Sequence, residues 1–116
     1  MNAIKTKHNL DFEACPWPRN PSIMLFRVGS CHGQYFFDEN SLYILSVVND
    51  TPGNGHLDDV FEWFEYSART NDKLLTILEF MNLQFKRHCI DKRGFKEIPG
   101  TDSLVKACKG EGRVRK

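Results

Sequence analysis

Two glycines, Gly53 and Gly55, stand one residue apart in the stretch VVNDTPGNGHLDDVF, between an apolar run and the start of an amphipathic one. The first turn of a helix carries unpaired amides and roughly half a positive charge, so it can bind an anion such as a phosphate. Glycines can adopt positive φ, and they lack the side chains that would keep a pyrophosphate from the amides of Asn54, Gly55 and His56. The spacing therefore predicts an anion-binding loop, although a tight turn from strand to helix needs glycine on structural grounds alone.

The elements around this loop predict a crossover between two parallel strands. The nearly all-apolar residues 42–48 are typical of a central strand that is covered on both faces. Apolar residues at helical spacing predict a helix over residues 57–70, with Asp58, Asp59 and other acidic residues on its solvent side. Residues 74–81 predict a second buried strand. Two such strands joined through a helix are parallel, with a right-handed connection.

The chain is expected to form one domain with a short extension at each end. Its 116 residues suit a single compact domain and leave no room for a second. Prolines at positions 16, 18 and 21 predict an irregular lead over residues 1–22. The domain is therefore placed at residues 23–108, and a basic tail follows at residues 109–116.

Shorter elements complete the expected fold, an α+β domain of the α/β type with a mixed sheet. They are a hairpin of strands at 23–28 and 34–37, a basic helix at 83–93 that ends at Gly94, and short strands at 95–98 and 104–108.

Charge, cysteines and hydropathy narrow the function classes. Sixteen basic and fifteen acidic residues leave a net charge of +1, which makes nucleic acid an unlikely partner. The four cysteines form no CxxC pair, so neither a zinc ribbon nor a dithiol redox site is predicted. No apolar run approaches the ~18 residues that cross a bilayer, and the first residues lack a signal-peptide pattern. We therefore expect a cytoplasmic protein that does not contact a membrane.

The order of motifs over residues 42–98 resembles the GNAT (N-acetyltransferase) superfamily. In that family a central strand leads into a Q/R-x-x-G-x-G/A loop and a helix, followed by a parallel strand, an asparagine and a short helix before Gly-Phe. This chain has DTPGNG at the loop, LLTILEFMN at the strand and asparagine, and CIDKRGF at the last helix. The resemblance covers about half of the chain. It implies a GNAT-like mixed sheet in which the N-terminal helices are shortened or missing.

The resemblance also implies a function, the transfer of an acetyl group from acetyl-CoA to an unknown amine. The pyrophosphate of acetyl-CoA would bind the loop at Gly53 and Gly55, and the pantetheine arm would lie where the two parallel strands diverge. Asn82 lies close to the position of the family's asparagine. The amide of Val48, at the end of the central strand, could hold the thioester carbonyl.

Glu79 and His88 are the candidate catalytic residues for this reaction. Acetyl transfer needs an unprotonated amine and a proton donor for the departing thiolate. Glu79 is the one carboxylate inside the apolar run LLTILEFM, and burial would raise its pKa toward that of a useful base. His88 lies near the position of the family's tyrosine acid, which is Ile90 in this chain. A carboxylate at a sheet edge and a solvated surface histidine are the structural alternatives.

Departures from the family pattern favour a second interpretation, a catalytically inactive binding or assembly module of the same fold, such as a viral accessory protein. Ile90 cannot donate a proton. Asp50 replaces the usual Gln or Arg, and together with Asp58 and Asp59 it would repel a pyrophosphate, although acidic residues there also stabilise the helix dipole. A protein partner is therefore an alternative that the sequence leaves open, in addition to acetyl-CoA and an amine acceptor.

Overall fold

The computed structural model describes residues 5–78, 83–101 and 103–107, and the side chains of residues 83–85 are outside the description. These residues form seven strands and two helices: β1 (Glu13–Trp17), β2 (Asn20–Val28), β3 (Cys31–Phe37), β4 (Ser41–Asn49), α1 (His56–Thr70), β5 (Leu74–Ile77), α2 (Leu83–Lys92), β6 (Lys96–Glu97) and β7 (Leu104–Ala107).

All seven strands belong to one mixed sheet in the order β1-β2-β3-β4-β5-β7-β6. Strands β4 and β5 are parallel and are connected through α1, whereas every other neighbouring pair is antiparallel. The predicted hairpin, the central position of β4 and the crossover are therefore confirmed. The structure is a small α+β domain with a mixed sheet, as the sequence predicts.

Regular structure begins earlier than residue 23, and the prediction of an irregular lead is wrong for residues 13–22. Strand β1 pairs antiparallel with β2, with Ala14 opposite Phe26 and Pro16 opposite Met24. A proline is tolerated here because β1 is an edge strand, and its register shifts directly after Pro16. The two strands are joined at Pro18 and Arg19 with no helix between them.

Helix α1 buries its apolar stripe against the sheet, as predicted. Phe64 packs edge-on against Phe26 of β2, with 4.9 Å between the ring centroids. The acidic side of α1 is predicted less well, because Asp59 has no solvent-exposed surface. The buried residues of α1 are Asp59, Val60, Phe61, Phe64 and Ala68.

Strand β4 carries a bulge at Leu45. Tyr35 of β3 lies opposite Ile44, but the preceding Gln34 lies opposite Ser46, so Leu45 has no partner in β3. One extra residue exchanges the two faces of a strand. Ile44 faces the core before the bulge and Val47 after it, while Val48 is 50% exposed. The prediction that both faces of β4 are covered is therefore wrong for its second half.

Gly33 of β3 makes room for this bulge. A Cβ atom at this position would overlap the backbone carbonyl oxygen of Ser46 and would lie 3.1 Å from Cε2 of Phe26. A glycine inside a strand commonly marks such a close approach of two backbones.

Glu65 of the acidic helix α1 contacts two cations that lie outside this helix. Arg93, directly after α2, binds Glu65 of α1 with 3.1 Å between Nε and Oε2, and Lys106 of β7 lies 3.3 Å from the same carboxylate. Gly94 ends the helix with a φ of +82°, as predicted. Arg93, a cation of the predicted basic helix, is thus paired with Glu65. The basic tail at 109–116 lies outside the described residues.

Candidate ligand-binding site at the loop between β4 and α1

The glycine loop has the backbone that its sequence predicts. Gly53 has a φ of +92° and Gly55 a φ of +84°, which are values that residues with a Cβ rarely adopt. Gly55 is the N-cap residue of α1, and it has no side chain to accept a hydrogen bond from the first-turn amides. The start of α1 therefore presents amides that other groups can bind.

The free amides of the loop differ in part from the predicted set. The amide of His56 donates to Oδ1 of Asn54 at 3.0 Å, and the amide of Asn54 donates to the carbonyl of Thr51 at 3.4 Å. Within the described part of the chain, the amides of Gly53, Gly55 and Leu57 donate to no protein oxygen. Of the three predicted amides, only that of Gly55 has no described protein acceptor, whereas Asn54 and His56 use their amides inside the loop.

The side chains of Asn54 and His56 hold the loop against the turn between β2 and β3. Asn54 donates from Nδ2 to Oγ of Ser30 at 2.8 Å and accepts at Oδ1 from Nδ2 of Asn49 at 3.1 Å. Ser30 in turn donates from Oγ to Oδ1 of Asn49 at 2.6 Å, and its amide donates to Nδ1 of His56 at 3.1 Å. This polar network holds the loop against the turn between β2 and β3. The spacing of residues in the sequence did not predict this network.

Beside the loop, β4 extends past the end of its parallel partner. The two strands pair from Ser41 opposite Leu74 to Ile44 opposite Ile77. One further hydrogen bond runs from the amide of Leu78 to the carbonyl of Ile44, at 3.1 Å. Beyond that bond β4 continues to Asn49, and no described residue pairs with its β5 side.

The peptide groups that face this opening belong to Val47 and Asn49, not to Val48. The amide of Asp50 donates to the carbonyl of Ser30 at 2.9 Å, so it points toward β3. Peptide groups alternate in direction along an antiparallel strand, and the amide of Val48 therefore points toward β3 as well. The prediction that the Val48 amide holds a thioester carbonyl is therefore not supported by its direction. The sequence did not predict this direction, because it gives no sign of the bulge at Leu45.

Two carboxylates that were expected to repel a pyrophosphate each lie close to a basic side chain. Oδ1 of Asp50 is 3.2 Å from Nε2 of His32. Asp58 lies between two cations, with Nζ of Lys7 at 3.5 Å and Nη1 of Arg93 at 3.6 Å. The two cations offset the field of the Asp58 carboxylate, so Asp58 does not exclude an anion from the loop.

The third carboxylate, Asp59, binds residues 6–10, which we call the N-terminal strap. The buried carboxylate accepts hydrogen bonds from Oγ1 of Thr6 at 2.5 Å and from the amides of His8 and Leu10, both at 3.0 Å. The indole of Trp63 donates to the carbonyl of Leu10 at 2.8 Å. Asp59 thus serves as an anchor, and the prediction that it lies on the solvent side of α1 is wrong.

The N-terminal strap also reaches the glycine loop. A Cβ atom built on Gly55 would lie 2.8 Å from Nε2 of His8, so the His8 ring covers one side of this glycine. The ring centroids of His8 and His56 are 5.7 Å apart. Gly53, in contrast, has open space where its Cβ would be.

The described structure does not test whether the predicted catalytic residues Glu79 and His88 come together. Glu79 and Asn82 lie outside the described residues. His88 is half-buried on α2. Burial raises the pKa of the neighbouring Cys89 to about 12, so its thiol stays protonated at neutral pH. Ile90 packs against the hydrophobic core.

No protein-family model matches the chain, and a search of curated proteins finds no match. Neither α1 nor α2, the helices of the described part, is long and apolar enough to cross a membrane. Among the same described residues, no group of three or more His, Cys, Asp and Glu side chains is arranged to hold a metal ion.

Proposed function

We propose that this chain is a small cytoplasmic GNAT-like protein that binds acetyl-CoA and transfers its acetyl group to an amine. The observation that carries the proposal is the position of the glycine loop. It lies at the end of a central strand whose β5 side has no described partner after Ile44. Amides without a described protein acceptor and a strand edge without a described partner thus occur side by side, where a nucleotide with an extended arm could contact both.

The unpaired groups suit the two polar parts of CoA. The amides of Gly53, Gly55 and Leu57 supply donors for the pyrophosphate, and the helix dipole of α1 adds to their attraction. The pantetheine arm contains amides of its own, so it can pair with the peptide groups of Val47 and Asn49 in the way that an added strand does. Each part of the ligand would satisfy backbone groups that lack a described protein partner.

Catalysis in this proposal depends on the residues already identified from the sequence. Glu79 would accept the proton of the amine, and His88 would protonate the departing thiolate. Asn82, which lies outside the described residues, would contact the cofactor. A cofactor-binding module without transferase activity is the second candidate function, because the side chain at the tyrosine position, Ile90, packs against the core.

Titration of the protein with acetyl-CoA and CoA, by calorimetry and by thermal shift, tests the proposal. A ligand at a hundred times its dissociation constant should stabilise the fold by about 2.7 kcal/mol. No heat and no thermal shift at millimolar ligand would end the cofactor proposal. If the ligand binds, release of free CoA thiol in the presence of an amine panel separates the enzyme from the inactive module.

Gly53→Asp tests whether the loop itself binds the phosphates. Aspartate tolerates positive φ, and a Cβ at Gly53 meets nothing within 4 Å. A charge about 8 Å from the pyrophosphate should cost about 2 kcal/mol at an effective dielectric of ~20, which is more than tenfold in affinity.

Two matched variants control for backbone strain and for charge. Gly53→Asn introduces the same shape without the charge and should retain most of the affinity. Gly100→Asp introduces the same charge at another open glycine, which has a φ of +81°, and should bind like the wild type. Wild-type affinity in Gly53→Asp would show that the phosphates do not bind this loop.

A further inference from the structure

Asp59 is a buried carboxylate whose described hydrogen-bond donors all come from the N-terminal strap. A carboxylate without solvent access is costly unless its oxygens are hydrogen bonded. Thr6 supplies a hydroxyl, while His8 and Leu10 supply backbone amides. The position of the strap and the burial of this charge therefore depend on each other.

The N-terminal strap is docked on α1 mainly by polar contacts. The amide of Lys7 donates to Oε1 of Glu62 at 2.8 Å, and Trp63 donates to the carbonyl of Leu10. Asn9, in the left-handed region at a φ of +56°, turns the strap so that its amide bonds the carbonyl of Thr6. The side chains of residues 7–9 are exposed. Leu10 packs against the core, but residues 7–9 bury little apolar surface, so this part of the strap can open locally without unfolding of the whole domain.

His8 connects the docked strap to the glycine loop. Its ring lies against Gly55, which is the N-cap residue of α1, and beside His56. His56 in turn accepts a hydrogen bond from Ser30 within the polar network that holds the loop. Undocking of the strap would move the His8 ring away from Gly55 and from the ring of His56.

We propose that Asp59 is a positioning residue for the glycine loop, which it holds in its ligand-binding form through the N-terminal strap. Docking of the strap and binding of the ligand then stabilise each other, because coupling between two binding equilibria is reciprocal. The ligand in this inference rests on the proposed function. The contact between strap and loop does not.

Asp59→Asn keeps the shape of the side chain but removes its charge and one acceptor oxygen. We expect this variant to bind CoA about five- to tenfold more weakly, at the lower end of typical coupling. Hydrogen exchange of the His56 amide, measured by NMR without ligand, should become faster as the loop loosens. In the wild type, saturating CoA should slow the exchange of the His8 and Leu10 amides.

Asp38→Asn is the matched control. The Asp38 carboxylate accepts hydrogen bonds from the amides of Asn40 and Ser41, both at 2.8 Å, in the turn between β3 and β4. This variant also loses a carboxylate that holds backbone amides, but away from the strap. It should change neither the affinity for CoA nor the exchange of His56.

The outcomes separate this inference from the proposed function. If Asp59→Asn lowers stability while CoA affinity and His56 exchange stay at wild-type values, Asp59 is only structural and the inference is wrong, although CoA binding stands. If the wild type does not bind CoA, the proposed function fails, and His56 exchange still decides whether strap and loop are coupled. Should Asp59→Asn not fold, Trp63→Phe removes the bond to Leu10 and should shift both measurements in the same direction.

Discussion

Replacing Arg93 with methionine should destabilise the protein by about 2 to 3 kcal/mol, just below the range for breaking a fully buried ion pair. The guanidinium contacts Glu65 twice, from Nε to Oε2 at 3.1 Å and from Nη2 to Oε1 at 3.3 Å. Both side chains are largely buried, with exposures of 15% for Arg93 and 16% for Glu65. Methionine keeps much of the apolar stem but leaves the carboxylate without its main partner.

The expected magnitude follows from what remains around Glu65. Removal of one partner of a fully buried pair costs about 3 to 5 kcal/mol. Lys106 stays 3.3 Å from the Glu65 carboxylate, and both groups retain some contact with water, which lowers the cost. Loss of the guanidinium from above the Phe61 ring, at 5.7 Å from its centroid, adds about 0.5 to 1 kcal/mol.

Urea unfolding of Arg93→Met, Glu65→Leu and the double variant measures the pair directly. We expect the double variant to lose much less stability than the sum of the two single losses. The difference, which is the coupling energy of the pair, should be about 1.5 kcal/mol or more. Arg87→Met, at an exposed position of α2, should stay within about 0.5 kcal/mol of the wild type. A loss below about 0.5 kcal/mol for Arg93→Met, or a coupling near zero, would mean that this network behaves as ordinary surface pairs do.

Three further predictions concern the sheet and the thiols. Gly33→Ala should cost about 2 kcal/mol or more in urea unfolding, because its Cβ would overlap the carbonyl of Ser46; a smaller loss would mean that the bulge yields easily. Iodoacetamide should label exposed Cys15 rapidly in the native protein and leave buried Cys31 and Cys89 unlabelled, as peptide mass spectrometry can show. Burial raises the pKa of Cys31 to about 11 and that of Cys89 to about 12, from an ordinary 9.0. Because these thiols ionise more readily in the unfolded chain, their contribution to stability is complete below pH 9 and is lost as the pH rises toward 12. Cys89→Ala should show a shallower decline over this range, and an equal slope would contradict the assignment.

Periodicity predicted those parts of the fold in which neighbours along the chain determine the pattern. The stripe of α1, the β2–β3 hairpin and the stop at Gly94 are examples. Strand β1 was missed because prolines ordinarily interrupt strands, and only its place at the sheet edge makes Pro16 tolerable. The bulge at Leu45 was not predicted either, because a uniformly apolar run does not show which side chains face which side of the sheet.

The candidate site shows the same division. Local sequence predicted the positive φ of Gly53 and Gly55, because few other residues adopt it. It did not predict which amides stay free, since that depends on how the Asn54 side chain folds back. Nor did it predict that Asp59 is buried, because its partners lie about fifty residues earlier in the chain.

The docked strap has a practical consequence for anyone preparing this protein. Thr6 is already buried against α1, and a peptide of five residues reaches at most ~18 Å. An oligohistidine affinity tag fused ahead of residue 1 would therefore begin within about 18 Å of Thr6, next to the segment whose His8 contacts the glycine loop. Its imidazoles could compete with His8 or attract phosphate on their own, so titrations should use material from which such a tag has been cleaved.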